Sequence, residues 1–281
     1  MWANFHTHST YCDGKSTLAE TFAEARNAGL ISIGFSSHAP LPFERPWAMK
    51  RERFGEYLSE VNSLKATNPP EVYAGLEVDF VPGAVGPSWF RERLDYMIGS
   101  VHFVDAFDDG TPWEIDNTNL VFRDGLKKIF RSDAKAAVSR YYELTREMIL
   151  TDPPDIVGHM DKIKMQNSAE VIFSEDDSWY RDEIRMTIDA LKKSGCTVDV
   201  NTRGIYQKKS NTTYPSPWII EMLCEQNIPV TLSSDAHHSK DLINTFTEAA
   251  IILSKCGYKT IQVLHEGQWQ PYRFNERGII F

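Results

Sequence analysis

Short apolar runs alternate with longer amphipathic stretches along nearly all of this 281-residue chain, and that alternation restricts its fold more than any other feature. Residues 2–5, 31–35, 71–80, 96–101, 155–157, 197–200 and 229–232 read as strands. Helical signals fill 17–27, 50–65, two stretches of 116–150 parted near Arg131-Ser132-Asp133, 175–193, 217–226 and 240–256. For the first helix, Ser16 or Thr17 supplies the cap, Glu20 lies in the first turn and Gly29 follows the end. Strands interleaved with helices predict a parallel sheet covered by helices, an α/β fold. No Ser/Gly/Pro-rich linker, charge block or internal repeat divides the chain. Residues 1–281 therefore read as one domain, a (β/α) barrel of seven strands rather than eight.

Such a barrel carries its chemistry at the C-terminal ends of its strands. His6 and His8, in Phe5-His6-Thr7-His8, alternate so that both imidazoles face one side. Alone, a chance pair explains them equally well. The later strand ends tilt the balance. His38 follows the second strand, Glu77 lies within the third, His102 ends the fourth, His159 follows the fifth, and Asp235 and His237 follow the last. Satisfied core histidines explain such a set poorly. Imidazole and carboxylate together suit zinc, iron or manganese. With Asp13, the ligands His6, His8, His38, Glu77, His102, His159, Asp235 and His237 exceed one tetrahedral site. Two to three divalent ions can share them if a carboxylate bridges. Clusters of this kind activate a water and clamp a phosphoryl group, so phosphate-ester hydrolysis needs no serine or cysteine nucleophile.

The order His-x-His, lone His, Glu, His, His and closing Asp-x-His resembles the polymerase and histidinol phosphatase (PHP) family across nearly the whole chain. The resemblance implies a distorted seven-stranded barrel with a trinuclear metal centre. It assigns His6, His8, Glu77 and Asp235 to one metal. Glu77 bridges to a second, held also by His102 and His159, and Asp13, His38 and His237 hold the third. A freestanding chain of this length, with Val198-Asp199-Val200-Asn201-Thr202-Arg203-Gly204 and Tyr214-Pro215-Ser216-Pro217, resembles the histidinol-phosphate phosphatase branch. That branch implies hydrolysis of L-histidinol phosphate to L-histidinol and phosphate, in histidine biosynthesis, by a metal-activated hydroxide.

Arg203 follows the sixth strand, the strand end without a metal ligand, where a guanidinium can grip phosphate oxygens. With Asp235 as proton shuttle and His237 as a possible acid toward the leaving group, it completes the candidate catalytic set, although ligation is the stronger expectation for His237. Lys162 or Lys164 could meet the phosphate, but for each a solvated side chain is the favoured reading. Trp47, in the long loop Phe43-Glu44-Arg45-Pro46-Trp47-Ala48-Met49-Lys50, could cover the site and contact substrate, or simply pack; Glu44 could pair with a substrate ammonium. Asp79 shares a strand face with Glu77 and could support a ligand or be solvated. His238 and His265 read as lying outside the metal shell. The four cysteines lack zinc-knuckle spacing and read as free thiols, with Cys12 as turn filler.

A net charge of −9 disfavours broad nucleic-acid binding without excluding a pocket for one phosphate. No apolar run approaches the roughly 18 residues of a membrane span. No basic segment followed by an apolar one opens the chain, so a cytoplasmic location is the default. A small phosphate ester is the expected partner, with no membrane. Two rivals remain: a PHP-type phosphoesterase or exonuclease acting on another ester or a nucleic-acid end, and a non-catalytic metal-dependent module.

Overall fold

The computed structural model describes residues 1–67, 69–167 and 172–281. The chain begins with β1 (Ala3–Asn4), α1 (Leu18–Asn27), β2 (Ser32–Phe35), α2 (Phe54–Lys65), β3 (Glu71–Asp79) and β4 (Tyr96–Ser100). A hairpin of β5 (Phe103–Ala106) and β6 (Pro112–Glu114) follows, then α3 (Asn119–Lys128), α4 (Ala134–Thr151) and β7 (Ile156–Val157). Next come α5 (Ser178–Ser194), β8 (Thr197–Asn201), the short α6 (Arg203–Tyr206), α7 (Pro217–Glu225), β9 (Val230–Ser233) and α8 (Phe246–Lys255). A meander of β10 (Thr260–His265), β11 (Gln268–Asn275) and β12 (Gly278–Ile280) ends the chain.

Seven strands form one parallel sheet in the order β1-β2-β3-β4-β7-β8-β9. It curls into a nearly closed, distorted barrel. The seam is narrow: Thr7 bridges Ala236 in parallel register, with the His8 N–H donating to Ala236 O at 2.8 Å and the Ala236 N–H to His6 O at 3.2 Å. Beyond the two-residue β1, side chains take over from the ladder. Thr7 Oγ1 donates to Gly34 O at 2.8 Å, and the Thr7 N–H donates to Ser36 Oγ at 2.9 Å. Thr7 is thereby fixed against its neighbours and its flanking histidines face the other way, into the barrel.

Local chemistry explains the elements around this sheet. Thr17 and Glu20 form a reciprocal capping box on α1, and Leu18, Thr21, Phe22 and Ala25 make its buried stripe. Burial of a side chain such as Leu18 or Phe22 is worth about 1.5–3 kcal/mol. Gly195, at φ +74°, ends α5 in the left-handed conformation. Inside the barrel, Tyr96 reaches from β4 to donate its hydroxyl to Phe5 O at 2.6 Å. A Cβ at Gly34 would lie 2.2 Å from Tyr96 Oη and one at Gly75 2.4 Å from Tyr96 Cζ, so the ring crosses the strands only where both lack side chains.

The structure departs from the sequence reading in three places. The helix expected over 240–256 begins only at Phe246, because Thr245 sits at φ +59° and Asn244 O accepts from Thr202 Oγ1 at 2.9 Å, tying this turn to the barrel. The β5–β6 hairpin stands where no strands were expected. So does the C-terminal meander, whose Ile261, Val263, Leu264, Phe274 and Ile279 join the apolar cluster that contains the barrel residues Ile98, Val198 and Val230. Among the described residues, no helix is long and apolar enough to cross a membrane.

Candidate metal centre

All nine predicted ligands meet at the C-terminal mouth of the barrel. Their ligand atoms fall into four overlapping groups: His6, His8 and Asp235; His6, Glu77 and His159; His38, Glu77 and His102; and His8, Asp13, His38 and His237. Glu77 joins two of them. Its Oε2 lies 3.2 Å from His6 Nε2, 3.4 Å from His8 Nε2 and 3.1 Å from His38 Nδ1. Its Oε1 lies 2.9 Å from His159 Nε2 and 3.7 Å from His102 Nε2. Asp235 Oδ1 is 3.2 Å from His8 Nε2, and Asp13 Oδ1 is 3.2 Å from His237 Nε2. Asp235 holds φ +51°, a left-handed backbone that Asp tolerates better than most residues. The grouping differs from the expected one: Glu77 stands outside the His6, His8 and Asp235 group, His6 joins Glu77 and His159, His38 joins Glu77 and His102, and His8 joins the Asp13 group. His102 and His159 do not share a group, and the Lys162 ammonium stands 3.5 Å from each Nε2.

The donor set fits divalent cations. Buried His6 Nε2, His8 Nε2 and His38 Nδ1 have no hydrogen-bond partner among the described residues although they face carboxylate oxygens. Such groups are costly to bury unless something binds them. The opposite ring edges are held instead. His6 Nδ1 contacts Asp199 Oδ2 and His102 Nδ1 contacts Asp79 Oδ1, both at 2.9 Å, which aims each Nε2 inward. Asp79 is thus a supporting carboxylate. The sequence reading noted Asp199 only within the branch segment and gave it no place behind His6, although Thr197, Asp199 and Asn201 alternate as polar inward positions on an otherwise apolar strand. Ser233 Oγ bonds Asp199 Oδ1, and Asn201 Nδ2 donates to its Oδ2 at 3.1 Å.

Electrostatics divides the ligands. Burial would raise the Glu77 carboxyl, but His6, His38 and His159 hold it well below the usual range. Asp235 is likewise held low, with Arg203 and His6 outweighing burial. Burial and neighbouring His237 bring His8 down to about 4, and burial brings His38 to about 4. Burial and Lys162 do the same to His159, at about 4. Their lone pairs are free at neutral pH. Burial also opposes charge on His6 and His102, yet Asp235 and Glu77 keep His6 well above its usual value, and Asp79 and Asp116 push His102 up to about 9. These two rings are protonated without a cation and must lose their protons to ligate. Loading at neutral pH should therefore release roughly two protons, and affinity should fall as pH falls. Titration calorimetry in buffers of different ionisation enthalpy reads this number; zero release would overturn the charge assignment.

A cavity of about 160 Å³ opens above the cluster. Arg203 lines it, with Nη1 donating to Asp235 Oδ1 at 2.7 Å and contacting the His237 ring. Lys162 also lines it and is buried, its Nζ 3.0 Å from Asp116 Oδ2, so the solvated reading fails there. Lys164 is buried as well, so the solvated reading fails there too, but it lies outside the lining. It is paired with Asp161 at 2.7 Å and donates to Thr213 O at 3.1 Å, and does not face the cavity as a substrate contact would. A buried ammonium needs a carboxylate, and Asp161 supplies it away from the cavity. Trp47 both packs and covers: its ring stacks on Phe103 at 5.8 Å and lies 4.7 Å from the His38 ring, above the ligands. Glu44 is exposed and outside the lining. Asp116 and Glu114, delivered by the unexpected hairpin and the turn after it, form the wall on that side. Cys12 Sγ sits 3.5 Å from His8 Nδ1.

A parallel barrel with histidines and carboxylates gathered at its strand ends defines a metal-binding (β/α) barrel protein. The PHP domain model matches residues 4–203, and the chain belongs to that family. It is 28% identical over 277 residues, 95% of this chain and 97% of the relative, to a probable histidinol-phosphatase of Deinococcus radiodurans. It is 25% identical over 257 residues, 84% of this chain and 94% of the relative, to the histidinol-phosphatase of Bacillus subtilis. The crystal structure of histidinol phosphate phosphatase from Lactococcus lactis, complexed with zinc, L-histidinol and phosphate, superposes with a TM-score of 0.69 at 18% identity, covering 100% of this chain and 99% of that one.

Proposed function

We propose that this chain hydrolyses L-histidinol phosphate to L-histidinol and phosphate at a centre of up to three divalent cations, zinc foremost. The convergence of nine imidazole and carboxylate ligands beneath one small cavity carries the reading. The histidinol-phosphatase names of relatives that align along nearly their whole length support the substrate. In this reading His6, His8, Glu77 and Asp235 hold one cation, Glu77, His102 and His159 a second, and Asp13, His38 and His237 a third. Bound cations would act as Lewis acids and supply an activated water for in-line attack on phosphorus. The polypeptide does the rest. Arg203, and Lys162 across the cavity floor, offset charge that grows on the non-bridging oxygens. Asp235 Oδ1 and His237 Nδ1 lie 3.4 Å apart beside Arg203, and in this reading the pair takes a proton from the attacking water and returns one to the leaving oxygen. Trp47 and the hairpin exclude bulk water from above. A cavity this small suits a monoester rather than a nucleic-acid strand. The shared apolar cluster supports reading barrel and meander as one unit.

The test combines metal analysis of the purified protein with phosphate release from a panel of monoesters and single-stranded DNA. L-histidinol phosphate should be hydrolysed at a kcat/KM well above that of the other esters, with metal present. Equal or better turnover of another ester or of DNA ends would replace the proposed substrate. A metal-loaded protein inert to every phosphate ester would favour the non-catalytic module.

A further inference from the structure

Among the described residues, one arginine and two lysines line the cavity: Arg203, Lys162 and Lys209. Two of them are engaged. Arg203 is tied to Asp235 and Lys162 to Asp116. Lys209 differs, because among the described residues no carboxylate forms an ion pair with it. Its position is nevertheless defined. Lys208 takes a left-handed φ of +55°, and the N–H groups of Lys209 and Ser210 both donate to Gly204 O, at 2.9 and 3.0 Å. The chain thus folds back over the start of α6 and sets Lys209 beside Arg203. The fold-back is tight: a Cβ on Gly204 would fall 2.8 Å from Tyr214 Cε2 and 2.9 Å from Ser210 Cβ. The Lys209 pKa is lowered, first by the partial desolvation of its place at the cavity rim and then by Arg203 and Lys162. Asp116 and Asp235 offset this from farther away, but among the described residues no carboxylate comes within ion-pair distance of the ammonium, and an anion at the cavity mouth would relieve it.

We propose that Lys209 is the outer phosphate contact of this site, meeting the dianionic phosphoryl group at the cavity mouth and retaining inorganic phosphate until it departs. The proposal rests on the phosphomonoester reading above. Lys209 is exposed at the rim rather than packed among the ligands. Its charge therefore acts on binding and release, is sensitive to salt, and leaves the chemical step nearly untouched.

The experiment compares metal-loaded wild type, Lys209→Met and Lys209→Arg. The methionine variant should raise both the KM for L-histidinol phosphate and the inhibition constant of inorganic phosphate roughly tenfold, as expected for a partly screened charged hydrogen bond. Its kcat should stay within about twofold, and Lys209→Arg should restore both constants because the positive charge is kept. Calorimetric titration with inorganic phosphate reads the same loss without turnover, so it decides the role of Lys209 even if the wild type proves inactive on L-histidinol phosphate, an outcome that would instead overturn the substrate assignment. Unchanged phosphate binding in Lys209→Met overturns the proposal, as does a fall in kcat at constant KM.

Discussion

Glu77→Gln should cut phosphate release from L-histidinol phosphate at least a thousandfold and strip metal from the protein. The expectation follows from where the two carboxylate oxygens point. Oε2 faces three ring nitrogens, on His6, His8 and His38, and Oε1 faces His159 and His102. Ser100 Oγ donates to Oε1 at 2.7 Å and fixes the group between the two sets. An amide keeps the shape but loses the charge, and it turns an N–H₂ toward nitrogens whose lone pairs must be free. Cation-based charge stabilisation is worth several kcal/mol, and each 1.36 kcal/mol is tenfold in rate, so loss of the bridge alone gives about 10³. The fold should survive, since the flanking Leu76 and Val78 carry the packing of β3 and both are fully buried. Elemental analysis, circular dichroism and steady-state rates on one preparation separate the outcomes. A folded Glu77→Gln protein with full metal content and activity within tenfold of wild type would remove Glu77 from the centre.

The convergence of the candidate ligands was legible in the sequence because a parallel barrel puts strand-end residues at predictable places. His6, His8, His38, His102, His159, Asp235 and His237 each stand at or just beyond a strand end, and strand ends can be read from apolar runs. What supports them was less legible. Lys162 and Lys164 look alike in sequence, yet they lie in a 3₁₀ segment, Lys162–Asn167, where side chains two apart point to different sides. One therefore faces the cavity and the other faces Asp161. Asp116 reaches the cavity only because the β5–β6 hairpin reverses the chain. That hairpin had a local signal in Asp109-Gly110, with Gly110 at φ +83°. The meander had another in Glu266-Gly267, where both residues hold positive φ. Both signals are short, and both were outweighed by the helical periodicity and strand ends that dominate the rest of the chain. Asp199 carried a subtler sign, a carboxylate at an inward position of a strand with apolar neighbours, and its partner His6 is 193 residues away. No local pattern links two such residues; only barrel closure does.

Arg203→Ala should lower kcat/KM by about 10²–10³, the cost of removing one donor aimed at charge that develops in the transition state. Arg203 contacts the proposed proton-transfer pair, with Nη1 on Asp235 Oδ1 at 2.7 Å, on Asp235 O at 3.3 Å and against the His237 ring. That position admits two explanations of any loss. The guanidinium could act on the phosphoryl group, or it could hold Asp235 in its ligating orientation. Metal content separates them. Asp235 has other restraints, since Asn201 Nδ2 donates to its Oδ2 at 3.3 Å and its backbone carbonyl accepts from Tyr206 Oη at 3.3 Å. The carboxylate should therefore stay in place and the variant should retain its metal while losing turnover. Arg203→Lys should recover only part of the rate, because an ammonium keeps the charge but not the planar fork that can span a carboxylate and a phosphate oxygen together. The loss should fall on kcat, in contrast to the KM effect expected at Lys209, because Arg203 contacts Asp235 and His237 while Lys209 lies at the rim. If Arg203→Ala loses metal in step with activity, the residue positions Asp235 and its role in charge stabilisation fails.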